Sequence, residues 1–145
     1  MEWESSLLNN YLRGINKIFP TIKRLDIFDQ FFEENLNYFF KFSRISSNKI
    51  SIKIMSFLFS IFKHDFYSKL CERFLSLFYD YINDPNVFHS KTSEHIFNLI
   101  FNISKHDYSF TRIASFIKRM FSVIIHCESR VILGGLILFS KVAQI

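Results

Sequence analysis

The chain has 145 residues, 49% of them hydrophobic, enough for one domain with a sizeable core. Three glycines and two prolines leave few turn signals, which argues for long helices and against a protein of many short strands. The net charge of +5 is modest but C-terminal, since residues 101–145 hold six basic and two acidic side chains. Such an excess can attract nucleic acid or anionic lipid, but on charge alone ordinary solubilising charge is the preferred reading.

The first predicted helix lies in "SSLLNNYLRGINKIFP", where Leu8, Leu12, Ile15 and Phe19 share a face and Pro20 ends the run. The stretch that opens it, "MEWESSLLNN", has acids where a secretion signal needs positive charge, so export is not expected. Asp26 is placed to cap a second helix with a stripe of Phe28, Phe32, Leu36 and Phe39. "SRISSNK" (43–49) is polar and reads as a turn. "ISIKI" alternates like a strand, but Ile54, Met55, Leu58, Ile61 and Phe62 continue at helical spacing, so the segment is assigned to a third helix.

Asp65 is placed to cap a fourth helix, with Tyr67, Leu70, Phe74, Leu77, Phe78 and Tyr81 on one face. "NDPNVFHSKTS" (83–93) reads as a loop broken by Pro85. Ile96, Phe97, Ile100 and Phe101 mark a fifth helix. Asp107 is placed to cap a sixth, with Phe110, Ile113, Ile117, Met120 and Ile124 on one side and Arg112, Ser115, Lys118, Arg119 and Ser122 on the other. Glu128 opens a seventh, its charge suited to a positive helix N-terminus.

That last helix holds nine uncharged residues, Val131 to Phe139, bounded by Glu128, Arg130 and Lys141. A membrane-spanning helix needs about 20 apolar residues, so the run reads as a fully buried core helix. "MSFLFSIF" (55–62) is too short for a span as well. Gly134 and Gly135 are small residues that permit close helix packing.

"KHDFYSKL" begins at Lys63 and "KHDYSF" at Lys105, 42 residues later, each between a hydrophobic helix and an amphipathic one. Helical-hairpin repeats have a period of about 40–47 residues, and each hairpin needs a neighbour to bury its apolar face. The reading is an all-α chain of about seven helices, stacked as a HEAT/armadillo-like α-solenoid in a single domain over 1–145; a compact helical bundle is the plainer alternative.

No glycine-rich phosphate loop, HExxH or GxSxG occurs in the sequence. His64 and His106 each precede an aspartate, but at equivalent repeat positions beside a helix start they read as structural. Glu33 and Glu34 are adjacent, so a helix points them in different directions. Cys71 and Cys127 are far apart and have no zinc-ligand spacing, as thiols in a reducing compartment would be. No catalytic residue, metal ligand or cofactor is therefore assigned. Lys49 with Lys53, and Arg112 with Arg119 and Lys118, form basic faces without any RNA-binding signature.

Three ordered stretches resemble the CCAAT-binding-factor (CBF) family of nucleolar ribosome-assembly proteins. "LLNNYLRGINKIFP" (7–20) is similar to the family's LL-x-G-[IV]-N-[RK]-x-[FY]-P helix through Gly14, Ile15, Asn16, Lys17, Phe19 and Pro20. "HDFYSKLCERFL" (64–75) is similar to its D-x-F-Y-x-x-L-Y segment, with Phe66 and Tyr67 in place. "RIASFIKRMFSVIIHCESRVILGGLILFSKV" (112–142) looks like R-x-x-[AS]-F-[IV]-K-R-[LM], a His, then G-[AG]-L-x-L-[LF]-S-[EK]-[VI]. Phe116, Ile117, Lys118, Arg119, His126, Gly134, Leu136 and Ser140 fall in register there. The chain departs from the family at "CES" (127–129), where a proline-rich turn is usual, and in the length of "SLFYDYI" (76–82) before Asp84–Pro85. The branch most resembled is that of CCAAT/enhancer-binding protein zeta, or the first nucleolar complex protein.

The resemblance implies a non-enzymatic scaffold of the nucleus and nucleolus. It would assemble on large-subunit pre-ribosomal particles with a second nucleolar complex protein, other assembly factors and pre-ribosomal RNA. Neither a membrane nor a small-molecule substrate is implied. Arg112, Lys118 and Arg119 are the candidate RNA-phosphate contacts. Gly14, Asn16, Phe19, Pro20, Phe66, Tyr67, His126 and Gly134 are expected to be packing positions of the family motifs. Two rival readings are a transcription factor on CCAAT-box DNA, for which no base-reading motif is present, and a membrane-associated helical protein.

Overall fold

The computed structural model of the chain describes residues 28–63, 66, 68–89 and 92–145, with the isolated positions 6, 7, 10, 11, 14 and 17 before them. These residues form six α-helices and one short 3-10 turn, with no strand among them. The helices are α1 (Phe28–Ile45), α2 (Asn48–Phe62), α3 (Lys69–Tyr81), α4 (Ser93–His106), α5 (Phe110–Ile124) and α6 (Ser129–Val142), with the 3-10 turn at Pro85–Val87. Six helices are thus described where about seven were expected. The expected first helix, with Asn16, Phe19 and Pro20, and the Asp26 cap lie outside the described residues, apart from the isolated positions, which are helical. The packing divides the chain into two compact units, Met1–His64 and Asp65–Ile145.

In the first unit, α1 and α2 pack as a hairpin. Phe39 meets Phe57 at a ring separation of 5.3 Å and Phe40 meets Phe62 at 6.4 Å. The turn expected over 43–49 is shorter than its polarity suggests, because α1 runs on to Ile45 and only Ser46 and Ser47 intervene before α2. Ser43 is buried, and its hydroxyl donates to the Phe40 carbonyl at 2.9 Å. Ser51 donates to the Ser43 carbonyl at 2.7 Å, satisfying a C-terminal acceptor of α1 that has no partner within its own helix. The segment with strand-like alternation is helical in α2, where Ile52, Ile54, Met55, Leu58, Ile61 and Phe62 are all buried.

The second unit is built on a core of Phe74, Phe78, Ile82, Ile96, Ile100, Ile103 and Met120. Phe116 of α5 lies against α3, 5.7 Å from the Phe78 ring and edge-on to Tyr79 at 5.5 Å. Helix α6 packs on α4 and α5. The loop before α4 is anchored: Val87 and Phe88 are buried, Asp84 accepts the Asn86 N–H at 2.9 Å, and Thr92 Oγ1 donates to the Val87 carbonyl at 2.5 Å.

The two echoed segments, KHDFYS and KHDYS, each end in a serine that caps the next helix. Ser68 Oγ accepts the Cys71 N–H of α3 at 3.2 Å, and Ser109 Oγ accepts the Arg112 N–H of α5 at 3.4 Å. The caps are therefore these serines. Asp107, expected as the cap of α5, turns inward instead; Asp65, its counterpart for α3, lies outside the described residues. Glu128 does occupy the N-cap position of α6, without a side-chain cap bond. Phe110, expected on the apolar side of α5, is exposed at the first position of that helix; Ile117, Met120 and Ile124 carry the buried stripe with Phe116 and Val123.

Helix α6 departs most from expectation. It is not fully buried: only Val131, Gly135 and Leu138 are, while Leu133, Leu136, Ile137 and Phe139 stand about half or more exposed. An apolar run without periodicity reads as core from sequence, yet the helix has one buried face and one apolar face in solvent. Among the described residues, no helix is long and apolar enough to cross a membrane.

Candidate nucleic-acid interface

The candidate interface begins with α5, which carries three of the six basic residues in 101–145. At about 100° per residue, Arg112 and Arg119 share one face, two turns apart, and Lys118 lies about 100° round from Arg119. The shared face looks toward α3. Arg112 borders a cleft with Glu72, Leu75, Ser76, Tyr79, Ser115 and Phe116.

Arg112 is committed to the fold. Its Nε donates to Asp107 Oδ2 at 2.5 Å and its Nη2 to Oδ1 at 2.8 Å, and its guanidinium lies over the Phe66 ring, 5.7 Å from the centroid. The Asp107 side chain has no exposure, whereas that of Arg112 keeps 30%. Oδ1 also accepts the Ser109 N–H at 2.8 Å, so one carboxylate secures both the turn and the arginine. Such a fork is preorganised and charge-assisted, which makes this arginine a poor free ligand for phosphate.

Arg119 is half-engaged. Its Nη1 donates to Asn83 Oδ1 at 2.6 Å, and its guanidinium sits 4.2 Å from the Tyr79 ring centroid, a cation–π distance. Lys118 is exposed on α5. The structure thus brings Arg112 and Arg119 together along α3 and sets Lys118 apart, whereas sequence spacing alone groups the three on one side. Arg130 and Lys141, exposed on α6, add cations that the α5 pattern does not reveal, although the C-terminal charge excess contains them. In the first unit, Lys49 and Lys53 are one turn apart on α2, and partial burial, then the Lys49 charge, lower the Lys53 pKa from its ordinary value.

The family-motif positions fall as follows. Phe66 is buried under Arg112. A Cβ on Gly134 would stand 2.7 Å from Phe97 Cε2 of α4, and one on Gly135 would overlap Ile124 Cδ1 of α5. The glycine pair is therefore where α6 closes on both neighbours. At Gly14 a Cβ would project into open space, with nothing described within 4 Å. The His126 side chain is exposed in the turn after α5, so it is a surface group here and not a packed one. Tyr67 lies outside the described residues. The His106 ring shares a 2.9 Å hydrogen bond with the Asn102 carbonyl at the end of α4, a structural partner. Among the described residues, no group of His, Cys, Asp and Glu could hold a metal ion.

The family model described as the CBF/Mak21 family matches residues 51–145, from early α2 through α6. The chain belongs to the CBF/Mak21 family. Protein SLOW WALKER 2 of Arabidopsis thaliana is 25% identical over 144 residues, covering 99% of this chain and 14% of that protein. CCAAT/enhancer-binding protein zeta of Mus musculus is 24% identical over 141 residues, covering 97% of this chain and 13% of that protein. The chain therefore spans about a seventh of the length of these relatives. No solved structure matches it. Within the CBF/Mak21 match lie the Phe66–Arg112–Asp107 cluster, the serine caps and the glycine pair of α6.

Proposed function

We propose that this chain is a non-enzymatic scaffold of ribosome biogenesis. It works in the nucleolus on large-subunit pre-ribosomal particles, with a second nucleolar complex protein, other assembly factors and pre-ribosomal RNA as its partners. The observation that carries this reading is the CBF/Mak21 match over residues 51–145. The all-helical fold is in keeping with it, and it is part of the proposal that the helices stack as an α-solenoid in a single domain, an arrangement that offers long surfaces to protein and RNA. Lys118 is the foremost phosphate contact, Arg119 a secondary one, and Arg112 holds the turn from which α5 starts. Such contacts position RNA without reading its sequence. The test is sedimentation of a cell extract on a sucrose gradient. The tagged chain should travel with large-subunit precursors and leave that fraction after RNase treatment; a chain that stays at the top of the gradient overturns the reading.

A further inference from the structure

The outer face of α6 is a feature that the scaffold reading leaves without a task. Leu133, Leu136 and Ile137 are 59%, 51% and 52% exposed, and at about 100° per residue they share one sector of the helix with Ser140. The helix cannot roll to bury them. On its inner side Gly134 and Gly135 close on Phe97 and Ile124, and Val131 and Leu138 are buried. Arg130 and Lys141 stand along one edge of the outer stripe, eleven positions apart, or about 16 Å along the axis. Helix α6 carries no carboxylate.

We propose that this face docks an amphipathic helix of a partner protein, with apolar side chains at i, i+3, i+4 and i+7 and carboxylates along the edge that meets Arg130 and Lys141. The charge pattern selects this occupant. A helix laid in an apolar seam gains affinity from the stripe and register from the flanking ion pairs. A second copy of the chain fits poorly: antiparallel pairing sets Arg130 against Lys141 of the other copy, and parallel pairing sets both cations against the apolar Leu136 edge. Both arrangements also bring together chains of charge +5. The face lies outside the α3–α5 cleft and serves in any assembly that the chain joins.

The test is selection from a displayed library of 20-residue amphipathic helices with randomised edge positions, on the 145-residue chain. Selected peptides should carry Asp or Glu along one edge. Their binding should weaken at least about tenfold on Leu133→Ser with Ile137→Ser, at two positions more than half exposed, in protein whose thermal melt shows that it is folded at the assay temperature. Arg130→Glu with Lys141→Glu should select basic edges instead. Selection indifferent to edge charge, binding unmoved by either pair of substitutions, or no enriched peptide would overturn the proposal. So would adhesion to vesicles of anionic phospholipid that the Leu133 and Ile137 substitutions abolish while peptide binding persists, which would make α6 a membrane-surface helix.

Discussion

Asp107 and Arg112 hold the turn between α4 and α5 from within. The carboxylate is sealed from solvent and takes the guanidinium on both oxygens, and the same Oδ1 receives the Ser109 N–H. Two residues of opposite charge, five apart in sequence, thus fix where α5 begins and how its basic face is aimed.

Removing one member of such a pair leaves a buried charge without its partner, which typically costs about 3–5 kcal/mol. Because Arg112 keeps part of its exposure, Arg112→Ala is expected at the low end, about 3 kcal/mol. Lys118→Ala, on the exposed side of α5, should stay within about 0.5 kcal/mol. Urea denaturation followed by circular dichroism distinguishes the two. Equal, small effects would show that the fork contributes little.

The glycine pair gives a sharper test of packing. A methyl at Gly135 meets the Cδ1 of Ile124, which is fully buried, so Gly135→Ala should destabilise by about 1–2 kcal/mol despite the better helix propensity of alanine. Ile124→Val deletes the obstructing methyl. In that background Gly135→Ala should become neutral or stabilising, a coupling of at least about 0.5 kcal/mol in a double-mutant cycle. Additive effects would mean that α6 has room to shift.

The echoed serines should behave alike. Ser68→Ala and Ser109→Ala each remove an N-cap and should each cost about 1 kcal/mol. Thermal melts read both, and a loss at one site alone would break the equivalence of the two segments.

These caps mark a boundary of what the sequence discloses. Helical spacing locates the buried stripes of α2, α3 and α5, because Ile54, Leu58, Phe74, Phe78, Met120 and Ile124 recur on one face and the core is built from such faces. Asp107 and Ser109 are both good N-cap residues two positions apart, and only the inward ion pair to Arg112 decides between them. The early turn at Ser43 misleads for a related reason: a buried serine that bonds back to its own helix has the same composition as a loop serine. Periodicity is silent on α6, where an apolar residue in solvent and one in the core are spelled alike. On the basic face, spacing places Arg112, Lys118 and Arg119 near one another but does not reveal that Asp107, Asn83 and Tyr79 already occupy two of them.

Cys127 is half-buried, and burial, then the Glu128 charge, push its thiol pKa above the ordinary value. A raised pKa leaves less thiolate at any pH below it, so alkylation by iodoacetamide near pH 8 should be slower than for a free thiol, with the rate curve displaced to higher pH. Glu128→Gln should move the curve part of the way back. Cys71 is fully buried and should label only on unfolding. Mass spectrometry of labelled peptides over a pH series measures all three.

The most direct test of the scaffold reading is affinity purification of the native protein from its own cells, with bound RNA sequenced and bound proteins identified. The account predicts large-subunit precursor RNA together with a second nucleolar complex protein, and an RNA yield that falls with salt less steeply after Lys118→Ala, by about one phosphate contact. Recovery of promoter DNA or membrane proteins in place of pre-ribosomal RNA would contradict it.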